Sequence, residues 1–191
     1  MHVLLSLTLV VMVRSPGFKA RQQLLTPKFR PNTKMSTKPL DVIRKGLRVY
    51  ANRGVFRRLD EVNTRDGKQS FKFVWLGDRP LEVDIDTQKA LLTFKHVLPN
   101  VPSNSVLYSD LKRFLKRRSD CDVPKHRRID GKRAEVACVN RAGNVSIALK
   151  VRNNQYAYGL KRLVNLVHEI FVQLNDSHPD YMCENFDMPQ E

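Results

Sequence analysis

The segment ALKVRNNQYAYGLKRLVNLVHEIFVQL, residues 148–174, decides the fold because a strand pattern changes into a long helix pattern within it. Alternating apolar residues end at Val151, and the pair Asn153 and Asn154 follows as an expected helix cap. The apolar residues then recur at offsets of three and four, which is typical of a helix with one apolar face. We predict a core-packing helix whose stripe comprises Leu160, Leu163, Val164, Val167, Ile170, Phe171 and Leu174.

A His–Glu pair, His168 and Glu169, lies in this helix. Such a pair begins the H-E-x-x-H pattern of zinc metalloproteases, in which two His one turn apart bind the metal and the Glu acts as base. The position of the second His is occupied by Val172, and a zinc site needs at least three converging protein ligands. We therefore interpret the pair as the polar edge of a packed helix.

The same two periodicities extend through the rest of the chain. Residues 36–54 have the start, apolar face and stop of a helix, and residues 55–98 alternate as short strands separated by turns. Residues 103–119 indicate a second helix and residues 134–151 a hairpin. The order is α-β-β-β(-β)-α-β-β-α. We predict an α+β fold with one antiparallel sheet and helices packed on it.

The ends of the chain differ in composition from the predicted domain at residues 39–175. Residues 1–38 carry basic residues and no acid, and their apolar run is too short to span a hydrocarbon layer of ~30 Å. Three interpretations stay open: an unpacked tail or mis-assigned start before Met35, a targeting signal, and a membrane-surface anchor. Residues 176–191 are interpreted as an acidic tail.

Cysteine spacing and net charge limit the classes of function. The three Cys include no C-x-x-C pair, so neither a disulfide framework nor a zinc module is indicated, and we predict a reducing, cytoplasmic location. No membrane role and no cofactor is expected. The net charge of +15 favours an anionic partner, which could be nucleic acid, an acidic protein segment or anionic lipid.

The densest basic stretch, residues 110–133, holds ten Lys or Arg against four Asp. Aromatic residues between the basic ones would indicate base stacking, but Phe114 alone lies there and its helical position places it in the core. A solvated charge run is the alternative to a binding surface. The predicted anionic-partner surface comprises Lys112, Arg113, Lys116, Arg117, Arg118, Lys125, Arg127, Arg128, Lys132 and Arg133.

A row of carboxylates, Glu82, Asp84 and Asp86, alternates with apolar residues in one predicted strand. Such a row could bind Mg²⁺ or act in acid–base catalysis, but neither a partner His nor a Gly-rich phosphate loop accompanies it. We interpret the acids as the solvent face of the strand. Because no nucleophile, metal or phosphate-binding motif is present in the sequence either, we predict that the protein is not an enzyme.

The element order and the strand–Asn–Tyr–helix ending of residues 148–174 resemble the type III secretion chaperone-like superfamily, in particular its bacterial YbjN-like branch. The resemblance covers residues 39–175 and implies a chaperone-like, protein-binding fold that is often dimeric and has no cofactor. The basic charge differs from the acidic charge typical of secretion chaperones. We expect a bacterial, non-enzymatic domain that forms a homodimer and binds a protein partner, which could be acidic. The alternative is a nucleic-acid-binding protein that uses residues 112–133.

Overall fold

The computed structural model describes residues 38–63, 68–76 and 79–187, all within one unit of the chain, residues 36–191. The interpretations of the N-terminal extension therefore concern residues outside the described ones. The elements within the described residues are α1 (Pro39–Asn52), β1 (Arg57–Asn63), β2 (Lys68–Trp75), β3 (Arg79–Asp86), β4 (Leu91–Leu98), α2 (Val106–Arg117), β5 (Ala134–Arg141), β6 (Asn144–Val151), α3 (Tyr156–Ser177) and α4 (Pro179–Phe186).

The strands form one antiparallel sheet in the order β1-β2-β3-β4-β6-β5. The predicted α+β class and element order are confirmed, and the strand left optional in the sequence pattern is present as β4. Consecutive strands β1 to β4 pair as a meander because only a few residues separate each strand from the next. The β5–β6 hairpin then joins β4 through β6, which leaves β1 and β5 as the sheet edges.

Alternation along the strands separates a core face from a charged face. The apolar stripe predicted for α3 is buried throughout and packs in the same core as Ile43 and Leu47 of α1. Residues on the charged face of β2, β3 and β4 include Lys72, Glu82 and Lys95. The core face of the sheet carries the buried residues Phe71, Phe73, Val83, Ile85, Leu92, Phe94, Ile147 and Leu149.

Two glycines allow the helices and the sheet to approach closely. A Cβ atom at Gly159 would lie 2.6 Å from Val151 Cγ2, and one at Gly46 would lie 2.5 Å from Leu160 Cδ2. A larger residue at either position would therefore force the Val151 or Leu160 side chain to shift. This close packing explains a glycine in the middle of α1, where helix propensity alone disfavours it.

The predicted cap of α3 is wrong. Asn153 and Asn154 have left-handed backbone conformations, with φ values of 52° and 54°, and the helix begins only at Tyr156 after Gln155. Asn tolerates the left-handed region better than most residues, so the pair forms the tight turn between β6 and α3. The turn positions Arg152, whose N–H donates to the Arg133 carbonyl at 2.8 Å.

A fourth helix, α4, lies in the segment that the sequence pattern indicates only as an acidic tail. Met182 and Phe186 are buried, and the Tyr181 hydroxyl donates to the Pro99 carbonyl at 2.7 Å. Arg79 donates to the Asn185 carbonyl at 2.7 Å, so this helix is attached to the start of β3 as well. An eight-residue helix with two buried residues has too few apolar positions to show a period.

Among the described residues, no helix combines the length and the apolar character needed to cross a membrane.

Candidate anion-binding surface

The ten predicted surface residues lie on α2 and on the loop that joins α2 to β5. Buried Ile129 and Val123 attach this loop to the body of the protein. The Ile129 N–H donates to the Arg118 carbonyl at 2.8 Å, which ties the two ends of the loop together. The structure thus places the basic residues of α2 next to those of the following loop, but it gives their side chains different environments.

Arg118 is a structural residue rather than a free cation. Its Nη1 donates to Glu169 Oε2 at 2.5 Å, and the two side chains are only 15% and 16% exposed. Its guanidinium carbon lies 4.1 Å from the centre of the Phe114 ring. Glu169, half of the His–Glu pair, is therefore a counter-ion for this loop, and Arg127 Nε lies 3.8 Å from its other oxygen.

Two arginines on the solvent side of α2 are paired with local acids. Arg113 contacts Asp110 at 3.0 Å, and Arg117 contacts Asp122 at 3.4 Å. These arginine side chains are more than 60% exposed, so each pair contributes little to stability, typically below about 1 kcal/mol.

The remaining loop cations converge on a cavity of about 470 Å³, which we call the basic cleft. The cleft includes Arg162 of α3, a residue that lies outside the basic stretch of the sequence. One carboxylate, Asp130, is present, and its Oδ1 accepts from the Lys132 N–H at 2.9 Å as part of a local turn. The basic cleft is lined by Ser119, Lys125, Arg128, Ile129, Asp130, Gly131, Lys132, Arg133, Tyr158 and Arg162.

Tyr158 organises the basic cleft from α3. Its hydroxyl accepts from the Asp130 N–H at 2.8 Å, which holds the loop against the helix. The guanidinium carbons of Arg133 and Arg162 lie 3.8 and 5.1 Å from its ring centre. Arg133 Nη2 also donates to Gln155 Oε1 at 2.7 Å. The Arg133 side chain is therefore oriented before any ligand binds.

Arg162 is held by backbone carbonyls of the loop. Its Nη1 donates to the His126 carbonyl, and its Nη2 donates to the Lys125 carbonyl at 3.0 Å. Its Nε is buried and has no hydrogen-bond partner among the described residues. In the sequence Arg162 looks like one more polar residue of an amphipathic helix. Its spacing of four from Tyr158 was the one local signal that could have indicated a shared role.

Cations cover the aromatic rings near the basic segment. Lys112 Nζ lies 4.7 Å from the centre of the Tyr108 ring, in addition to the Arg118–Phe114 and Arg133–Tyr158 contacts. A cation therefore lies over each of these rings, where a nucleic-acid base would otherwise stack.

A second cavity, the α2–α3 groove, has a volume of about 410 Å³. Its floor is apolar and includes Leu111, Phe114 and Ile170, while Arg113 and Arg117 also line it. Asp110, which pairs with Arg113, lines the groove as well, so the groove could take an apolar side chain between charged groups of both signs.

Two of the three carboxylates in the row on β3, Glu82 and Asp84, are paired across the sheet. Lys95 Nζ lies 2.8 Å from Glu82 Oε1 and 2.8 Å from Asp84 Oδ2, and the Ser70 hydroxyl donates to Asp84 Oδ1 at 2.5 Å. Burial by itself raises the pKa of Glu82, but the hydrogen bond and charge of Lys95 outweigh it, so the pKa lies below its usual value. Glu82 and Asp84 therefore share one lysine of the neighbouring strand, whereas Asp86 Oδ1 accepts from the Lys89 N–H at 2.9 Å in the turn after β3.

Comparisons of the chain with family models, with curated proteins and with solved structures returned no match. The resemblance to the type III secretion chaperone-like superfamily thus stays a prediction that rests on element order.

Proposed function

We propose that this protein is a non-enzymatic binding domain that recognises an acidic segment of another protein through its basic cleft. The observation that carries the proposal is the arrangement of five cations around one cavity that contains a single carboxylate. Its volume of about 470 Å³ lies within the range of pockets that enclose small groups, and it suits acidic side chains better than the broad surface of a duplex.

The covered aromatic rings favour a protein partner over single-stranded nucleic acid. Proteins that bind single strands combine a basic groove with open aromatic faces. Here Arg133 occupies the Tyr158 ring and Arg118 occupies the Phe114 ring. Phosphate contacts alone would position a nucleic acid without reading it. The α2–α3 groove adds a partly apolar site that a side chain of a protein partner could use.

The pairing of the acidic groups supports a non-enzymatic function. Glu82 and Asp84 contact Lys95, and Glu169 contacts Arg118. A general acid or base needs a pKa close to the working pH and access to a substrate. The lowered pKa of Glu82 and the low exposure of Glu169 do not suit that role.

The binding proposal can be tested with labelled probes at physiological salt. The probes are a glutamate-rich peptide and random single-stranded and duplex oligonucleotides. We expect the peptide to bind and the substitutions Lys125→Gln, Arg128→Gln and Lys132→Gln together to weaken it by about tenfold or more. The matched control replaces three exposed lysines with Gln: Lys72 and Lys150 of the sheet, and Lys89 of the turn between β3 and β4. It removes the same charge away from the basic cleft.

Two outcomes would contradict the proposal. If oligonucleotides bind more tightly than the peptide, and the cleft variant flattens their log–log salt slope by about 2–3 units, the surface serves nucleic acid. If none of these probes binds, the basic segment is a solvated charge run that contributes to solubility alone.

We also propose a homodimer formed through the edge strand β5. Glu135, which contacts Arg152 at 2.9 Å, and Arg141 are exposed and lie three residues on either side of Cys138. If two β5 strands paired antiparallel with Cys138 at the two-fold axis, each Glu135 would lie opposite Arg141 of the second copy. Opposite charges at facing strand positions stabilise such a pair, and an unpaired edge offers its N–H and C=O groups.

Sedimentation at micromolar concentration tests the dimer. We expect a dimer for the natural chain, dissociation for Arg141→Glu, and a restored dimer when Glu135→Arg is added, because the double variant reverses both charges of each pair. A monomer at all concentrations, or a double variant no better than the single one, would refute pairing through β5.

A further inference from the structure

The charge of the basic cleft exceeds what a carboxylate would neutralise. Five cations line it, and the single carboxylate, Asp130, accepts from the Lys132 N–H. A carboxylate ligand carries one negative charge, whereas a phosphomonoester at neutral pH carries about 1.5–2 and offers three acceptor oxygens. The basic cleft is therefore better matched to a phosphoryl group than to a glutamate or aspartate side chain.

Two of the cations are arginines in fixed orientations. The protein contacts that hold Arg133 are the Tyr158 ring and Gln155 Oε1, and those that hold Arg162 are two loop carbonyls. A guanidinium group presents its donors in a planar fork that matches the oxygens of a phosphate, and less entropy is lost on binding when the group is already held.

Arg162 retains a buried donor. Arg162 lines the basic cleft and Arg118 does not, and the Nε atom of each is buried without a hydrogen-bond partner among the described residues. Buried donors in native proteins are nearly always satisfied, and a charged donor without an acceptor is the more costly case. An anion in the basic cleft would supply the acceptor.

We infer that the basic cleft is a binding site for a phosphoryl group. Arg133 and Arg162 donate to its oxygens, and Lys125, Arg128 and Lys132 supply further positive charge. The inference rests on the proposed function, because it places the phosphoryl group in the cleft that binds the protein partner. The phosphoryl group can come from a phosphorylated side chain of that partner or from free phosphate, which present the same chemistry.

The first experiment follows amide shifts of the isotope-labelled full chain as inorganic phosphate or acetate is added at constant ionic strength. We expect phosphate to shift the amides of Gly131 and Lys132, with a Kd at least about tenfold below that of acetate. Arg162→Gln should weaken phosphate binding about tenfold or more, and Arg162→Lys should weaken it less because it keeps the charge. Lys72→Gln is the control, since it removes a charge from the sheet.

A second variant is needed because Arg162 also holds the loop, and replacing it could weaken phosphate binding by disturbing the fold. The double substitution Lys125→Gln and Lys132→Gln changes exposed lysines and should weaken phosphate binding as well. If phosphate and acetate bind equally, or if these variants bind phosphate as the natural chain does, the phosphoryl site is refuted.

The second experiment separates the two sources. A glutamate-rich peptide with one phosphoserine is compared with the same peptide containing serine. Tighter binding of the phosphopeptide by about tenfold, reversed by inorganic phosphate, supports a phosphorylated partner. Phosphate binding without peptide binding supports free phosphate as the ligand and contradicts the proposed function. Equal binding of both peptides, without phosphate binding, contradicts the phosphoryl site and leaves the proposed function standing.

Discussion

The basic cleft and the charged face of the sheet are both dense in charge, but their charges are arranged in opposite ways. On the sheet, Lys72 lies opposite Glu82, which lies opposite Lys95, so the sign alternates from strand to strand. In the basic cleft, Arg133 and Arg162 are held by a side-chain amide, a ring and carbonyl groups, none of which carries a net charge.

The difference shows that charge density in a sequence does not indicate a binding site by itself. Facing residues on neighbouring strands lie about 4.5–5.5 Å apart, so opposite charges there neutralise one another. Cations that are oriented by neutral acceptors keep their positive potential, and that potential remains for a ligand. The question for any charged segment is therefore which groups hold its side chains.

The largest change in stability is expected at the ion pair between Arg118 and Glu169, which is mostly shielded from water. Glu169→Gln removes the counter-charge of Arg118, and because both side chains are at most 16% exposed, we expect a loss of about 2–3 kcal/mol in the free energy of unfolding. Glu82→Gln on the sheet should cost less than about 1 kcal/mol, because water reaches both partners. Denaturant unfolding measures both, and equal losses would contradict the comparison.

A smaller change, a gain in stability, is expected when lysines of the basic cleft are replaced. Lys125→Gln with Lys132→Gln removes repulsion within the basic cleft, so we expect a gain of about 0.5 kcal/mol at low salt that disappears at high salt as the charges are screened. The matched pair Lys72→Gln and Lys95→Gln breaks cross-strand contacts and should lose stability instead. A gain from both variants would mean that net charge, rather than local arrangement, decides.

The smallest effect concerns acid stability. The pKa of Glu82 is lower in the folded protein than its usual 4.5, because the contacts with Lys95 outweigh burial. Its contribution is therefore fully present above the unfolded value and is lost as the pH falls through the folded value. Lys95→Gln should flatten the decline of stability below pH 4.5 by a fraction of a kcal/mol.

Unfolding free energies at pH 6, 4.5 and 3 check this prediction. The difference between the natural chain and Lys95→Gln is the informative quantity, because Glu61 also has a lowered pKa owing to its hydrogen bond from Arg44. If the difference in unfolding free energy between the two proteins stays constant from pH 6 to pH 3, the lowered pKa of Glu82 does not contribute to acid stability.

The fold was largely predictable, and the exceptions have physical reasons. The stripe of α3 and the alternation of β3 follow from local periodicity, and the structure buries the residues that they indicate. The helix α4 was missed because its two buried residues set no period. The cap at Asn153 and Asn154 was wrong because the same residue type serves both caps and left-handed turns.

The sequence by itself determined which residues are apolar at helix and strand spacing, and hence the element order, the core and the position of the basic segment. Only the tertiary structure decided which cations are held in ion pairs and which line the basic cleft. Arg162 and Tyr158 meet a loop that lies about 30 residues or more away along the chain, and Glu169 meets Arg118 across 51 residues. These contacts depend on the path of the loop over α3. Periodicity reports on neighbours within one element, so it cannot distinguish a sequestered cation from one that faces a cavity.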